Sequence, residues 1–114
     1  MAEPGGARWP AGQGTVLAIN GLPERGRVVC RGNIESVTYA PSGGVAAFTA
    51  IVSDRDTFHR PDHQRLKVIW LGRRRIPGLV PGTAIKLEGM LTQSQGKATM
   101  FNPRYEILSN QEPE

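Results

Sequence analysis

The stretch RVVCRGNIESVTY, residues Arg27–Tyr39, decides the fold of this chain. Val28, Cys30, Gly32 and Ile34 fall on every second position, which is the period-two pattern of a β-strand with one buried face. The alternation then shifts by one residue, so that Val37, and not Ser36, is the next apolar position. Because Gly32 lies inside the strand and the register changes after it, the sequence predicts a bulge or a sharp bend here.

Four further strand-like segments follow, separated by turns rich in glycine and proline: Val45–Ser53, Arg65–Leu71, Thr83–Thr92 and Ala98–Leu108. Pro103 has no N–H to donate, so the last strand is predicted to be at an edge or interrupted there. No segment has the length and period of a helix. The sequence therefore predicts an all-β, five-stranded barrel, since closure removes the open edges of short strands.

The length of 114 residues is that of a single domain. Small residues and prolines dominate residues 1–26, which are predicted to form a flexible leader, followed by the barrel at 27–108 and an acidic tail at 109–114. Within the leader, Thr15–Ile19 is a short apolar run, which the sequence leaves open as an added edge strand or a surface segment.

Cysteine usage and hydropathy point to the cytoplasm. Cys30 is the single cysteine, so no internal disulfide forms, and a reducing compartment is expected. No apolar run reaches the length of about 18 residues that spans a bilayer, and Met1–Gly14 lacks a signal-peptide core. We expect no metal site, because Phe58, Arg60 and Pro61 interrupt the polar run that contains the acidic and histidine residues Asp54, Asp56, His59, Asp62 and His63.

A basic centre is the main functional signal. The chain carries 14 Lys and Arg against 10 Asp and Glu, a net charge of +4. The run Arg73-Arg74-Arg75 lies between glycines and prolines that restrict its loop, and the planar fork of arginine binds phosphate oxygens. The predicted nucleic-acid contacts therefore comprise these three arginines together with Lys67, Arg65, Arg55 and Arg104. The alternative is a solvated basic surface.

The aromatic residues divide into two groups. Tyr39, Phe58 and Tyr105 lie at strand ends or in loops, and each is predicted either to stack on a base or to cover a barrel end. Trp70 alternates with apolar strand residues and, like Phe48, is favoured as core, although a stacking role is left open.

Several short motifs follow one another along the chain: Gly32, FTAIVSD at 48–54, VIWL at 68–71, VPGT at 80–83, IKLEG at 85–89 and MFNPRY at 100–105. In their order and spacing, these motifs resemble an OB-fold of the anticodon-binding-like branch, in particular the wedge domain of RecG-type branch-migration helicases. The stretch WLGRRRIPG also resembles small stand-alone OB proteins of actinobacteria. Where the wedge domain has stacking aromatics after its third strand, this chain has Arg73-Arg74-Arg75, whose guanidinium planes are expected to substitute.

The resemblance implies a non-catalytic module that binds single-stranded or branched DNA with weak sequence preference. RNA is an alternative ligand, and a protein-interaction adaptor in a larger assembly is an alternative function. No nucleophile, acid–base pair or cofactor motif is present in the sequence, so neither enzymatic activity nor a cofactor is expected. A membrane is not an expected partner.

Overall fold

The computed structural model of this protein describes residues 15–41, 44–55 and 63–108. Its strands are β1 (Leu17–Ala18), β2 (Gly26–Tyr39), β3 (Ala47–Ser53), β4 (Leu66–Leu71), β5 (Ala84–Ser94), β6 (Lys97–Phe101) and β7 (Arg104–Ile107), with a 3-10 turn at Ile19–Gly21. The described ranges contain no α-helix. Across these same ranges, nothing helical is both long and apolar enough for a bilayer crossing.

The prediction of an all-β fold is confirmed, but the predicted number of five strands is wrong, since the described residues form a sheet of seven. The last predicted strand is divided in two, because Pro103 lacks an N–H and Asn102 adopts a positive φ of 52°. Across this break the pairing of β5 shifts by one residue, from Leu91 opposite Met100 to Ile85 opposite Ile107. The seventh strand is β1, which pairs parallel with β2.

The strand pairings form a cycle that begins and ends at β2. β2 pairs with β3, β3 with β4, β4 with β6, β6 with β5, and β5 with β2. The β4–β6 pair is parallel and the other four are antiparallel. The long β2 takes part in two of these ladders because its first half faces β5 and its second half faces β3.

The core follows the alternation read from the sequence. In β4, Leu66, Val68 and Trp70 are buried, whereas the residues between them are half-buried. The Trp70 ring is 4% exposed, packs edge-on against Tyr105 and donates its Nε1 hydrogen to the carbonyl oxygen of Pro103 at 3.3 Å. Phe48 packs against Trp70 and is also buried, so both rings belong to the core.

The bulge predicted in the first long strand lies at Glu35, since the β2–β3 register shifts between Ile34 and Ser36. Gly32, three residues earlier, has a different role. A Cβ on Gly32 would lie 2.8 Å from Val52 Cγ1 and 2.9 Å from the backbone oxygen of Ser53. Glycine therefore allows β2 to pass close to β3 at this point.

The connection between β4 and β5, residues 72–83, was predicted only as a loop, but it supplies part of the core. Ile76 and Leu79 are buried at 1% and 2% exposure. The loop is attached at its end by two backbone hydrogen bonds, Ile34 N–H to Thr83 O and Gly82 N–H to Ile34 O. The loop is thus a packed segment with a fixed path.

The predicted leader of residues 1–26 falls partly outside the described residues, which begin at Thr15. Within the described part, β1 pairs with β2, and Ile19 is fully buried in the core. The Asp54 carboxylate accepts hydrogen bonds from the backbone N–H groups of Ile19 and Asn20 at 2.8 and 3.0 Å. Residues from Leu17 onward are therefore attached to the sheet. The predicted tail at 109–114 lies outside the described residues.

Candidate nucleic-acid interface

Arg73, Arg74 and Arg75 all project from the exposed start of the 72–83 loop, which we call the arginine loop. Its start is fixed by two hydrogen bonds, from Gly72 N–H to the Ala46 carbonyl at 2.7 Å and from Leu71 N–H to Asn102 Oδ1 at 2.9 Å. Among the described residues, no carboxylate forms an ion pair with these three guanidinium groups. Three full positive charges are therefore presented to solvent from an ordered backbone.

An apolar surface lies beside the arginine loop on the outer side of β3, β4 and β6. We call it the apolar face, and it consists of Ile51, Ile69, Leu71 and Phe101. Ile69 is in register with Phe101, and Leu71 follows Ile69 on the same side of β4. Leu71 is 43% and Phe101 is 46% exposed, so large apolar side chains lie open to water at the edge of the basic loop.

Three further basic residues of the predicted site lie towards the other end of β4. Lys67 is half-buried and pairs in register with Ile51, so it borders the apolar face. Arg65 and Arg55 are exposed just outside the antiparallel β3–β4 pair, at the end opposite the arginine loop. Because β4 has six residues and is about 20 Å long, Arg65 and Arg55 lie about that far from the arginine loop, with the apolar face between them.

Arg65 forms an ion pair with Glu35, the residue at the β2 bulge. Its Nε lies 3.2 Å from Glu35 Oε1, while Ser53 Oγ and His63 Nε2 both contact Glu35 Oε2. Burial by itself raises the pKa of Glu35, but the hydrogen bonds from Ser53, His63 and Arg65 and the charge of Arg65 outweigh it. The net result is a pKa below the ordinary value of 4.5.

Because the pKa of Glu35 is lowered by folding, its ionised form stabilises the native state. This contribution is complete above about pH 4.5 and is lost as the pH falls through the pKa of the folded protein. We expect Glu35→Gln to lower the free energy of unfolding by about 1 kcal/mol at pH 7 and by much less at pH 3. Urea unfolding at both pH values measures this, with Glu24→Gln, an exposed position, as the control. If Glu35→Gln lowered the free energy of unfolding equally at both pH values, the stabilising role of the ionised Glu35 would be contradicted.

The other predicted contacts are divided between different surfaces. Tyr39 is 46% exposed at the end of β2, near the start of β3 and hence at the same end of the sheet as the arginine loop. Tyr105 is half-buried with its ring 5.7 Å from that of Trp70. Arg104 lies on β7, three residues after Phe101, and forms an ion pair with Glu88 of β5. Phe58 lies outside the described residues.

Phe101 is a candidate site residue that the sequence reasoning did not select. It was placed in the last strand without a face being assigned to it. Met100 is fully buried, and because neighbouring strand residues point to opposite sides, Phe101 is directed outward. One signal was available in the sequence: within a strand, Met100 and Phe101 must point to opposite sides.

Residues 15–41, 44–55 and 63–108 contain neither a reactive thiol nor a cluster of metal-binding side chains. Burial, with a smaller effect from the nearby Asp54 carboxylate, raises the pKa of the Cys30 thiol to about 12, so the thiol stays protonated at neutral pH. In the same ranges, no group of three or more His, Cys, Asp or Glu side chains is arranged to hold a metal ion.

Comparisons of this chain with protein-family models, curated proteins and solved structures found no match. The likeness to OB-folds therefore depends on the motifs in the sequence.

Proposed function

We propose that this chain is an OB-fold module that binds single-stranded or branched DNA without catalysing a reaction. The cyclic pairing supports the fold: β2, β3, β4, β6 and β5 correspond in order to the first, second, third, fifth and fourth strands of a closed OB barrel. In this correspondence β1 is an addition, and β7 continues the last barrel strand beyond Pro103. The outer side of β3 and β4 is then the usual ligand face of the fold.

Phosphate binding is assigned to the arginine loop. Each guanidinium has five N–H donors in a planar fork, which can bind two phosphate oxygens at once. Because the loop backbone is anchored at Ala46 and by the buried Ile76 and Leu79, little backbone entropy is lost on binding. Lys67 adds a charge beside the apolar face.

Base contact is assigned to the apolar face. Bases that pack on the exposed side chains of Leu71 and Phe101 and on the half-buried Ile69 displace the water that hydrates these apolar groups. Stacking on an aromatic ring requires no base-edge hydrogen bonds, so this surface accommodates all bases with weak sequence preference. The observation that carries the proposal is the position, at the edge of this surface, of three exposed arginines that form no ion pair with any described carboxylate.

The proposal is tested by titrating labelled single-stranded DNA at several salt concentrations. The logarithm of the binding constant is expected to fall linearly with the logarithm of salt, by about 0.7 per phosphate contact. A binding constant that is indifferent to salt would exclude the assigned role of the arginines. Parallel titrations with RNA of the same sequence and with a forked duplex identify the preferred polymer.

Phe101→Ala is expected to weaken single-strand binding by about 1–3 kcal/mol, which is the usual contribution of one base–aromatic stack to the binding free energy. The effect on folding should be small because the ring is 46% exposed. Val16→Ala, which also truncates an exposed apolar side chain but lies outside the apolar face, is the control. Equal affinities of the two variants in fluorescence anisotropy would remove Phe101 from the site.

The exposed apolar face also favours a second candidate function, a protein-interaction adaptor, because such surfaces mark contacts between proteins. An adaptor would retain its partner after nuclease treatment and in high salt, whereas nucleic-acid binding would not survive either condition. The proposal includes a cytoplasmic location, supported by the single Cys30, which is buried as a free thiol.

A further inference from the structure

Asn102 completes the pairing of β4 with its side chain. Its backbone N–H donates to the Ile69 carbonyl oxygen at 2.7 Å, and its Oδ1 accepts the Leu71 N–H at 2.9 Å. In a parallel ladder these two bonds are made by the N–H and the C=O of one backbone residue, so Oδ1 takes the place of the Asn102 carbonyl oxygen. The side chain therefore extends the β4–β6 ladder by one residue at the point where the main chain turns away, with a φ of 52°.

These bonds fix the orientation of the Asn102 amide. Because the Leu71 N–H must face an acceptor, the atom in contact with it is the oxygen, and Nδ2 is the end of the amide turned away from that bond. Asn102 is exposed, and no acceptor among the described residues binds the two Nδ2 hydrogens. The amide is thus held at one end and presents two donors to solvent at the other.

The Nδ2 donors lie where the apolar face meets the arginine loop. The exposed Phe101 directly precedes Asn102, and the exposed Leu71 is the residue bonded to Oδ1. Gly72, the first residue of the arginine loop, follows Leu71 in the chain. A base that stacks on Phe101 while its phosphate binds the arginine loop therefore has its polar edge within reach of Nδ2.

We propose that Nδ2 of Asn102 donates a hydrogen bond to a carbonyl oxygen of the base that packs on Phe101. The inference rests on the proposed function and adds a base preference to it. Thymine, cytosine and guanine bear a carbonyl oxygen, whereas adenine bears ring nitrogens and an amino donor. Since one hydrogen bond carries the discrimination, the preference is modest, and it is directed against adenine.

The test compares the affinities of the protein for single strands of about 12 thymidines and of about 12 deoxyadenosines. Asn102→Asp keeps an oxygen for the Leu71 N–H and replaces the Nδ2 donors by a second oxygen. The added negative charge weakens the binding of both strands alike, so the ratio of the two affinities isolates the lost donor. The ratio of thymidine to deoxyadenosine affinity is expected to fall about fivefold, which is the effect of one hydrogen bond.

Gln95→Glu is the matched control. It also converts an exposed amide at a positive φ, 55°, into a carboxylate, but Gln95 lies in the β5–β6 turn, at the other end of β6 from Asn102. Its affinity ratio should stay within about twofold of that of the original chain, because a distant charge is screened and affects both strands alike. If Asn102→Asp left the ratio equally unchanged while both strands still bound, the inference would be overturned and the proposed function would stand. If the original chain bound neither strand, both would be overturned.

The Nδ2 hydrogen signals of Asn102 in NMR spectra of the unsubstituted protein give a second readout that does not depend on the variant folding. Saturable shifts of these signals that are larger with the thymidine strand than with the deoxyadenosine strand support the hydrogen bond. Equal shifts with the two strands, or shifts at Phe101 and the arginine loop with none at Nδ2, would overturn it.

Discussion

Replacing the arginine loop by Arg73→Gln/Arg74→Gln/Arg75→Gln is expected to reduce affinity for single-stranded DNA about 100-fold at 0.1 M salt. Each phosphate contact contributes about 0.7 to the salt slope on single strands, so three lost contacts lower the slope by about 2. The difference between the variant and the original chain should then shrink as salt approaches 1 M. Fluorescence anisotropy across a salt series measures both the affinity and the slope.

The matched control removes three positive charges elsewhere, by Arg25→Gln/Arg31→Gln/Lys86→Gln. These residues lie at or beside β2 and β5, away from the apolar face. If binding depends on where the charges lie on the protein, the affinity of this control for a short single strand should fall by less than about fivefold. If the two variants lose the same affinity, only the overall charge matters, and the arginine loop is not a site.

The second large expected effect concerns stability. Gly32→Ala should lower the free energy of unfolding by about 3 kcal/mol, the upper part of the range for overpacked cores. The added Cβ would lie 2.8 Å from Val52 Cγ1, 2.9 Å from Ile19 Cγ1 and 2.9 Å from the Ser53 backbone oxygen. Val52 and Ile19 are fully buried, so neither side chain can move aside into solvent. Thermal unfolding followed by circular dichroism is expected to show a midpoint lower by about 12 °C or more.

Gly21→Ala is the control for this substitution, because a Cβ at Gly21 meets nothing within 4 Å. It should leave the midpoint within about 2 °C of the original value, since surface substitutions usually change stability by less than 0.5 kcal/mol. A Gly32→Ala protein as stable as Gly21→Ala would show that β2 and β3 do not approach as closely as described.

Local sequence patterns predicted the strands well because alternation is a property of neighbouring residues. The covered faces of β4 and β5 followed directly from it, and the missing N–H of Pro103 predicted the interruption of the last strand. The burial of Ile76 and Leu79 could not be predicted in the same way, since a loop has no periodic pattern of apolar residues. The position of the bulge at Glu35 depends on the pairing with β3, which the sequence of β2 alone does not specify.

The candidate site was predicted less completely than the strands. The exposure of Arg73, Arg74 and Arg75 follows from their loop, and their clustering was visible in the sequence. The pairing of Glu88 was not visible, because Arg27 and Arg104, which donate to its carboxylate, lie 61 and 16 residues away along the chain. Contacts of this kind arise from the strand order, so they become apparent only when the sheet is assembled.

The most direct measurement is NMR chemical-shift mapping with single-stranded DNA of about 12 nucleotides, a length within the site sizes of OB-folds, at about 50 mM salt. Saturable shifts are expected at Arg73–Arg75 and across Ile69, Leu71 and Phe101. Spectra that stay unchanged at saturating DNA, or shifts that avoid both surfaces, would contradict single-strand binding by this domain.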